Sequence, residues 1–259
     1  MTPGLLAAAG AAAVGFSLRF HWWRPPRTGV PILMYHQVGP HRPGSPLNKW
    51  RVPEGLFASH LRLLARRGYQ GVALRDLLAG HTRGGRPVVL TFDDGFDGVR
   101  TAALPLLQSA GFSATVFVVA GKLGGEDDWN AEHPSERLLD DAGLRDLVEA
   151  GLEIGSHGLT HTSLVGLGDD ALAKETGASR RILEEVTGRP GTAFCYPVGA
   201  CDDRAVAAVR CAGYSAATVI KSGLARPGTD PLRIRRIPVR GTDPVLDLAL
   251  ALTRGRSKF

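Results

Sequence analysis

Short apolar runs alternate with amphipathic stretches along most of the chain, from residue 30 to about residue 220. Compact runs of Val, Ile, Leu and Phe are typical of buried strands, and apolar residues three and four apart are typical of helices packed on one face. The predicted strands cover residues 30–35, 87–92, 114–119, 152–155, 192–195 and 215–219, and the predicted helices cover residues 56–67, 104–110, 141–150, 169–186 and 203–211. Because strand and helix follow one another throughout, we predict an α/β fold built on a parallel sheet or barrel.

The first residues break this pattern. Residues 2–18 carry no charge, and directly after them Arg19 and Arg24 flank the pair Trp22 and Trp23. The run is at the short limit of the about 17–25 residues that span a bilayer, and no basic region precedes it as in a signal peptide. We predict a single membrane anchor or an uncleaved signal; the alternative is a buried or frayed helix. Its orientation stays open, because arginines after the run favour a cytoplasmic domain and the function inferred below favours an exported one.

Length and charge limit the class of protein further. A chain of 259 residues suits one barrel domain. We predict that this domain covers residues 28–242, that residues 1–27 form an apolar segment and linker, and that residues 243–259 form a helix and basic tail. The net charge of +6 is scattered without a block of like charges, and no aromatic–basic motif accompanies it, so we expect no nucleic-acid partner.

Three cysteines, Cys195, Cys201 and Cys211, form no C-x-x-C pair, which excludes a disulfide framework and a thiolate zinc site. Buried thiols are expected, although a bond between Cys195 and Cys201 stays open for an exported chain.

Candidate chemistry lies where predicted strands end, which is where α/β folds place their sites. Asp93 and Asp94 follow the strand PVVLTF, and His157 and His161 follow the strand LEIG. Histidines four apart on a helical turn share one face and can bind one metal together. Two imidazoles and one carboxylate leave open metal positions, as catalytic sites require. Each pair alone has an ordinary alternative, a turn for the aspartates and surface or core positions for the histidines.

Two further strand ends carry weaker candidates. His36 ends the first strand in LMYH, and Tyr196 and Pro197 end another in FCYPVG. Taken alone, His36 is more typical of a hydrogen-bonded structural histidine. The Tyr196–Pro197 pair, taken alone, is more typical of a strand that ends in a turn.

In combination, these motifs resemble those of the polysaccharide deacetylases, carbohydrate esterase family four, which share the NodB-homology domain. The resemblance rests on TFDDG and SHxxTHxxL and runs from about residue 31 to residue 240. The opening PILMYH and the FxYPxG turn are similar to the branch that includes the poly-N-acetylglucosamine deacetylases. The resemblance implies a distorted (β/α) barrel of about seven parallel strands.

The resemblance also implies a role for each site residue. It makes Asp94, His157 and His161 the metal ligands, Asp93 the general base and His36 the general acid. The backbone N–H of Tyr196 would help to bind the oxyanion, within a turn where Pro197 also meets the substrate. One divalent metal is implied, with zinc as the default and cobalt or nickel also compatible.

The chain departs from the family where many relatives carry an arginine that orients the base. That stretch reads FCYPVG here, and Arg235 or Arg236 is a candidate for the role from a later strand, with Arg236 preferred; the alternative is a solvated arginine. Trp129 is a candidate for stacking on a sugar ring, and the alternative is a capping hydrophobe. These departures leave the substrate in question more than the reaction.

The function predicted from the sequence is metal-dependent hydrolysis of an amide bond, which removes N-acetyl groups from an amino-sugar polymer and releases acetate. The alternatives are a different amidase on the same barrel and a non-catalytic glycan-binding module, the latter disfavoured because all five candidate metal and proton-transfer residues are present. We expect a monomer that meets a glycan, either bound to the membrane or exported to the cell envelope.

Overall fold

Strands and helices alternate along the chain in the computed structural model, which describes residues 2–20, 25–82, 84–129 and 134–255. The strands are β1 (Ile32–Tyr35), β2 (Gln37–Val38), β3 (Arg51–Val52), β4 (Tyr69–Val72), β5 (Arg86–Phe92), β6 (Thr115–Val118), β7 (Glu153–Ser156), β8 (Ala193–Cys195), β9 (Ala216–Ser222) and β10 (Ile234–Pro238). The helices are α1 (Pro3–Phe20), α2 (Glu54–Arg66), α3 (Leu74–Leu78), α4 (Leu104–Ala110), α5 (Asp141–Glu149), α6 (Asp169–Ala173), α7 (Ser179–Thr187), α8 (Asp203–Cys211) and α9 (Val245–Arg254).

Seven parallel strands close into a barrel, which confirms the predicted fold class. Around the ring the order is β1, β10, β9, β8, β7, β6 and β5, and β5 pairs with β1 again. β4 pairs with the first residues of β5. A separate pair, β2 with β3, lies directly after β1 and was not predicted. Because all barrel strands run in one direction, their carboxyl ends meet at one face of the barrel.

Side-chain parity along the strands decides what faces the barrel interior. In β5, Val88 and Leu90 pack into the main core with the helices, whereas Val89 joins a second cluster that includes Phe117 and Ile234. Successive strand residues point to opposite faces, so Thr91 and Asp93 share the inward direction of Val89. The interior is therefore apolar at its lower levels and polar at the carboxyl end of β5.

The helices largely follow the predicted ones. The helix predicted over residues 169–186 is α6 and α7 joined by a π-helical turn at Lys174–Ala178. The Asp140 side chain caps α5 by accepting the N–H of Gly143 at 2.8 Å, and Asp202 caps α8 in the same way. α4 ends at Gly111, whose φ of 67° forms a left-handed cap.

The two ends of the chain were predicted as an apolar segment and a basic tail. α1 forms at the amino end, but none of the helices within the described ranges is long and apolar enough to cross a membrane. The structure thus gives no support to a membrane anchor. α9 matches the predicted carboxyl-terminal helix, and the basic tail lies largely beyond residue 255, outside the described residues.

Candidate active site

The two aspartates after β5 reach one cleft because the backbone turns sharply between them. The Asp93 N–H still continues the ladder by donating to the Tyr35 carbonyl oxygen at 3.0 Å. Asp94 then adopts φ of 72° and Gly95 φ of 79°. A left-handed backbone at a non-glycine residue costs about 1–3 kcal/mol and persists where its surroundings enforce it, commonly at functional sites. Both carboxylates line the same cleft.

Asp94, His157 and His161 form a compact group of possible metal ligands. One ligand atom from each lies within 4.8 Å of the others, and the Nε2 atoms of both histidines are 3.3 Å from Asp94 Oδ1. The Nδ1–H of His157 donates to the Cys195 carbonyl oxygen at 2.8 Å, which directs its Nε2 toward Asp94. Burial alone would raise the pKa of Asp94, but hydrogen bonds from the two histidines hold it well below its usual range. This donor set fits a divalent metal.

The loop that carries the histidines differs from the predicted helical turn. His157 and His161 lie on an irregular loop after β7, and His161 has φ of 65°. Buried Glu175 holds this loop: its Oε2 accepts the backbone N–H groups of Leu159 at 2.7 Å and Thr160 at 3.1 Å, and its Oε1 accepts the Thr160 hydroxyl at 2.6 Å. The four-residue spacing thus brings the rings together through a loop that one carboxylate organises.

Asp93 is held by an arginine from β10, which is separated from β5 by β1 alone. Arg236 in β10 is fully buried and donates from Nη1 to Asp93 Oδ1 at 2.6 Å and from Nη2 to Asp93 Oδ2 at 2.8 Å. Nη1 also donates to the Thr91 hydroxyl at 3.0 Å, and Nη2 lies 3.1 Å from Cys195 Sγ. Burial by itself would raise the pKa of Asp93, but the charge and hydrogen bonds of Arg236 lower it. Of the two candidate arginines, the structure brings Arg236 to Asp93, while Arg235 is exposed.

His36 lines the cleft opposite the metal ligands. Its ring packs against Trp50 with a centroid distance of 4.7 Å and an interplanar angle of 36°. Burial lowers the pKa of His36, and the nearby charges of Asp94 and Asp93 offset this only in part. Its Nδ1 is buried and has no hydrogen-bond partner among the described residues. Packing on Trp50 therefore orients this ring.

Tyr196 lines the cleft, and the oxyanion role of its backbone N–H stays a prediction. Its backbone N–H donates to the Thr218 carbonyl oxygen at 3.3 Å, because Tyr196 continues the pairing of β8 with β9, and its hydroxyl donates to the Leu232 carbonyl oxygen at 3.1 Å. Val198, two residues on, has φ of 51° and is 60% exposed at the cleft. The sequence pattern held no signal for this left-handed residue, which is β-branched and therefore disfavoured there.

The cleft that these residues share has a volume of about 260 Å³. Trp129 lines it and stacks on His161 with a centroid distance of 4.4 Å, whereas Pro197 is buried and is not part of the lining within the described ranges. The structure thus places Trp129 where a sugar ring can meet it and gives no support to contact between Pro197 and substrate. The lining comprises Met34, His36, Gln37, Leu47, Trp50, Asp93, Asp94, Phe96, Trp129, His157, His161, Tyr196, Val198 and Ile220.

A closed parallel barrel with a paired aspartate and an Asp–His–His group at its carboxyl face defines a hydrolase scaffold with a candidate metal centre. The sequence profile described as "Polysaccharide deacetylase" matches residues 80–217, more than half of the chain, so the protein belongs to the polysaccharide deacetylase family.

Individual relatives agree with this assignment. The chain is 27% identical over 214 residues to the "Putative polysaccharide deacetylase YxkH" of Bacillus subtilis (strain 168), covering 81% of this chain and 71% of that protein. It is 22% identical over 203 residues to the poly-beta-1,6-N-acetyl-D-glucosamine N-deacetylase of Staphylococcus aureus (strain MSSA476), covering 74% and 68% respectively. Its structure resembles that of IcaB from Ammonifex degensii with a TM-score of 0.71 and 25% identity, over 83% of this chain and 94% of that one.

Proposed function

We propose that this polysaccharide deacetylase removes N-acetyl groups from an N-acetylated amino-sugar polymer by hydrolysis and releases acetate. The observation that carries the proposal is the convergence of Asp94, His157 and His161 beside the Asp93 carboxylate in one cleft. The substrate class is supported by the Staphylococcus aureus relative, whose name states poly-β-1,6-N-acetyl-D-glucosamine as its substrate.

We further propose that Asp94, His157 and His161 hold one divalent metal, with zinc as the default and cobalt or nickel also compatible. Two imidazole nitrogens and a carboxylate oxygen suit all three ions, and the 3.3 Å approach of both Nε2 atoms to Asp94 Oδ1 supports a shared cation. When bound, such a metal polarises an amide carbonyl and lowers the pKa of water.

Three groups of the chain act on the water and the amide during hydrolysis. Asp93 stays ionised beside Arg236 and accepts the proton of the attacking water at a carboxylate oxygen. A backbone N–H of the turn that brings Tyr196 and Val198 to the cleft donates to the carbonyl oxygen as negative charge develops there, an interaction commonly worth about 3–4 kcal/mol. His36, whose burial makes the protonated ring a stronger acid, delivers a proton to the leaving sugar amine.

The test uses the full chain, its metal content and acetate release from β-1,4- and β-1,6-linked N-acetylglucosamine oligomers. Asp93→Asn should abolish release while the bound metal remains. The matched control is Asp146→Asn, which changes an exposed aspartate on α5 and should leave release unchanged. A wild-type protein that holds metal but releases acetate from none of these oligomers would refute the proposal.

Location follows from the substrate class rather than from any feature of the fold. A polymer of the cell envelope is met outside the cytoplasm, so export or membrane association remains a prediction of the sequence. Protease accessibility of the chain in intact cells tests it: an exported domain is cleaved, and protection in intact but not in lysed cells would contradict export.

A further inference from the structure

The cleft lies between two segments of the chain that come from different places in the sequence. Residues 37–52, here called the first wall, follow His36 directly and bring Leu47 and Trp50 to the cleft. Residues 126–129 and 134–138, here called the second wall, bring Trp129 to it. Each wall contributes one aromatic ring to the cleft: Trp50 packs on His36, and Trp129 stacks on His161. The two tryptophans thus bound the space beside the reacting groups.

A buried ion pair joins the two walls. Arg51 of the first wall is 2% exposed and donates from Nη2 to Glu136 Oε1 of the second wall, where Glu136 is 4% exposed. Nε of Arg51 donates to Gln37 Oε1 at 2.9 Å, and its Nη1 donates to Asn48 Oδ1 at 2.8 Å. The other carboxylate oxygen of Glu136 accepts from Gln37 Nε2 at 3.1 Å and lies 2.9 Å from Nη2 of Arg42. Glu136 is therefore held by three side chains of the first wall, and Arg51 is also held by two side chains of its own wall.

The position of this pair links it to both tryptophans. Arg51 is the neighbour of Trp50 in the chain and pairs with Gln37 through β3 and β2. Glu136 is tied to Asp127, two residues before Trp129: the Asp127 N–H donates to the Glu136 carbonyl oxygen at 3.1 Å, and the Glu136 N–H donates to Asp127 Oδ1. A change at either end of the ion pair is thus transmitted over one or two residues to an aromatic face of the cleft.

Burying the two charges of this pair costs desolvation free energy, and a role in positioning the walls accounts for that cost. Two desolvated charges often stabilise a fold no more than a well-packed apolar pair of similar volume does, whereas they fix one relative position of the groups that carry them. We propose that Arg51 and Glu136 are positioning residues that fix the distance between the Trp50 and Trp129 walls and so set the affinity for an extended glycan chain. The inference rests on the proposed function, since it concerns how that substrate is held.

The test compares a long substrate with a small one. Glu136→Gln should raise KM for N-acetylglucosamine oligomers about tenfold or more, because displacements near 1 Å far from the reacting atoms already cost up to about 100-fold. KM for 4-nitrophenyl acetate, which needs no second wall, should change far less. Arg51→Lys should give an intermediate shift, because an ammonium cannot reproduce the fork geometry of the guanidinium.

Two further variants separate positioning from folding. Arg51→Met combined with Glu136→Leu removes both buried charges and should recover the melting temperature that Glu136→Gln loses, while KM for the oligomers stays high. The matched control is Glu184→Gln, which weakens the 2.9 Å pair of Arg180 and Glu184 on α7 and should leave both KM values as they are.

The outcomes distinguish this inference from the proposed function. A wild-type protein that releases no acetate refutes the function. An active wild type whose folded Glu136→Gln and double variants keep the wild-type KM for oligomers refutes the inference alone, as does an equal rise of KM for both substrates. A selective rise for oligomers in both variants supports it.

Discussion

Replacing Arg236 by methionine should destabilise the protein strongly, because it leaves the Asp93 carboxylate charged and buried without its partner. Neither side chain is more than 3% exposed, and the guanidinium donates to both carboxylate oxygens at 2.6 and 2.8 Å. Removing one partner of such a buried pair costs about 3–5 kcal/mol. Since domains are stable by only about 5–15 kcal/mol, the loss is a large part of the total.

A double-mutant cycle isolates the pair from the general effect of altering the core. The free energy of unfolding is measured by urea denaturation for Asp93→Asn, Arg236→Met and the double variant. The comparison requires that its dependence on urea concentration be the same in all variants. The double variant buries no unpaired charge, so its loss of unfolding free energy should be smaller than the sum of the two single losses by about 2–3 kcal/mol. Additive losses, or an Arg236→Met variant as stable as the wild type, would refute the reasoning.

Arg236→Lys separates charge from geometry at the same position. Lysine keeps a positive charge near Asp93, but its ammonium cannot hold both carboxylate oxygens in one plane. We expect kcat for acetate release to fall about 10–100-fold with bound metal retained, because the base is ionised but no longer oriented. A lysine variant with wild-type kcat would show that charge alone is sufficient and that the paired hydrogen bonds do not orient the base.

Three further predictions concern the metal loop and the core. His161→Ala should lose most bound metal while the fold is kept; unchanged metal content by elemental analysis would remove the proposed site. Glu175→Gln should weaken metal affinity about 10–100-fold in a competition titration with a chelator, because it loosens the loop that carries the ligands. Burial lowers the pKa of His60 from its ordinary 6.5 to about 4, so the unfolded chain takes up a proton between these values that the folded chain does not. The stability should therefore fall by about 3 kcal/mol from pH 6.5 to pH 4, and His60→Leu should flatten that part of the curve; an identical pH dependence in both proteins would contradict it.

The fold and the approach of the candidate metal ligands to one another could be predicted because both depend on short-range pattern. Alternating strands and helices require a parallel arrangement, and parallel strands bring their carboxyl ends together wherever they lie in the sequence. Asp94 and the pair His157 and His161 each follow such an end, so their approach needed no knowledge of the loops. The predicted helical turn for the histidines was wrong because Glu175, 16 residues beyond Leu159, organises the loop through three hydrogen bonds.

The sequence alone could not decide between Arg235 and Arg236. Neighbouring strand residues point to opposite faces, and the pairing register between β10 and β9 is irregular at this point. β10 pairs Arg235 with Val219 but Arg236 with Ser222, so β9 bulges between the two arginines. The oxyanion donor stays a prediction for a related reason. Whether Tyr196 or Val198 presents a free N–H depends on where the pairing of β8 with β9 stops, which a turn sequence does not state.

What the sequence could and could not predict corresponds to two different parts of the molecule. The groups assigned to proton transfer and metal binding stand within a few residues of strand ends, where strand pairing and, for the histidine loop, the Glu175 carboxylate fix their positions. The tryptophans and the Arg51–Glu136 pair stand on loops, and that pair spans 85 residues without any periodic pattern between its members. A change in the walls can therefore alter which glycan binds while the barrel end stays intact. This separation explains why the motifs identify the reaction class more sharply than the substrate.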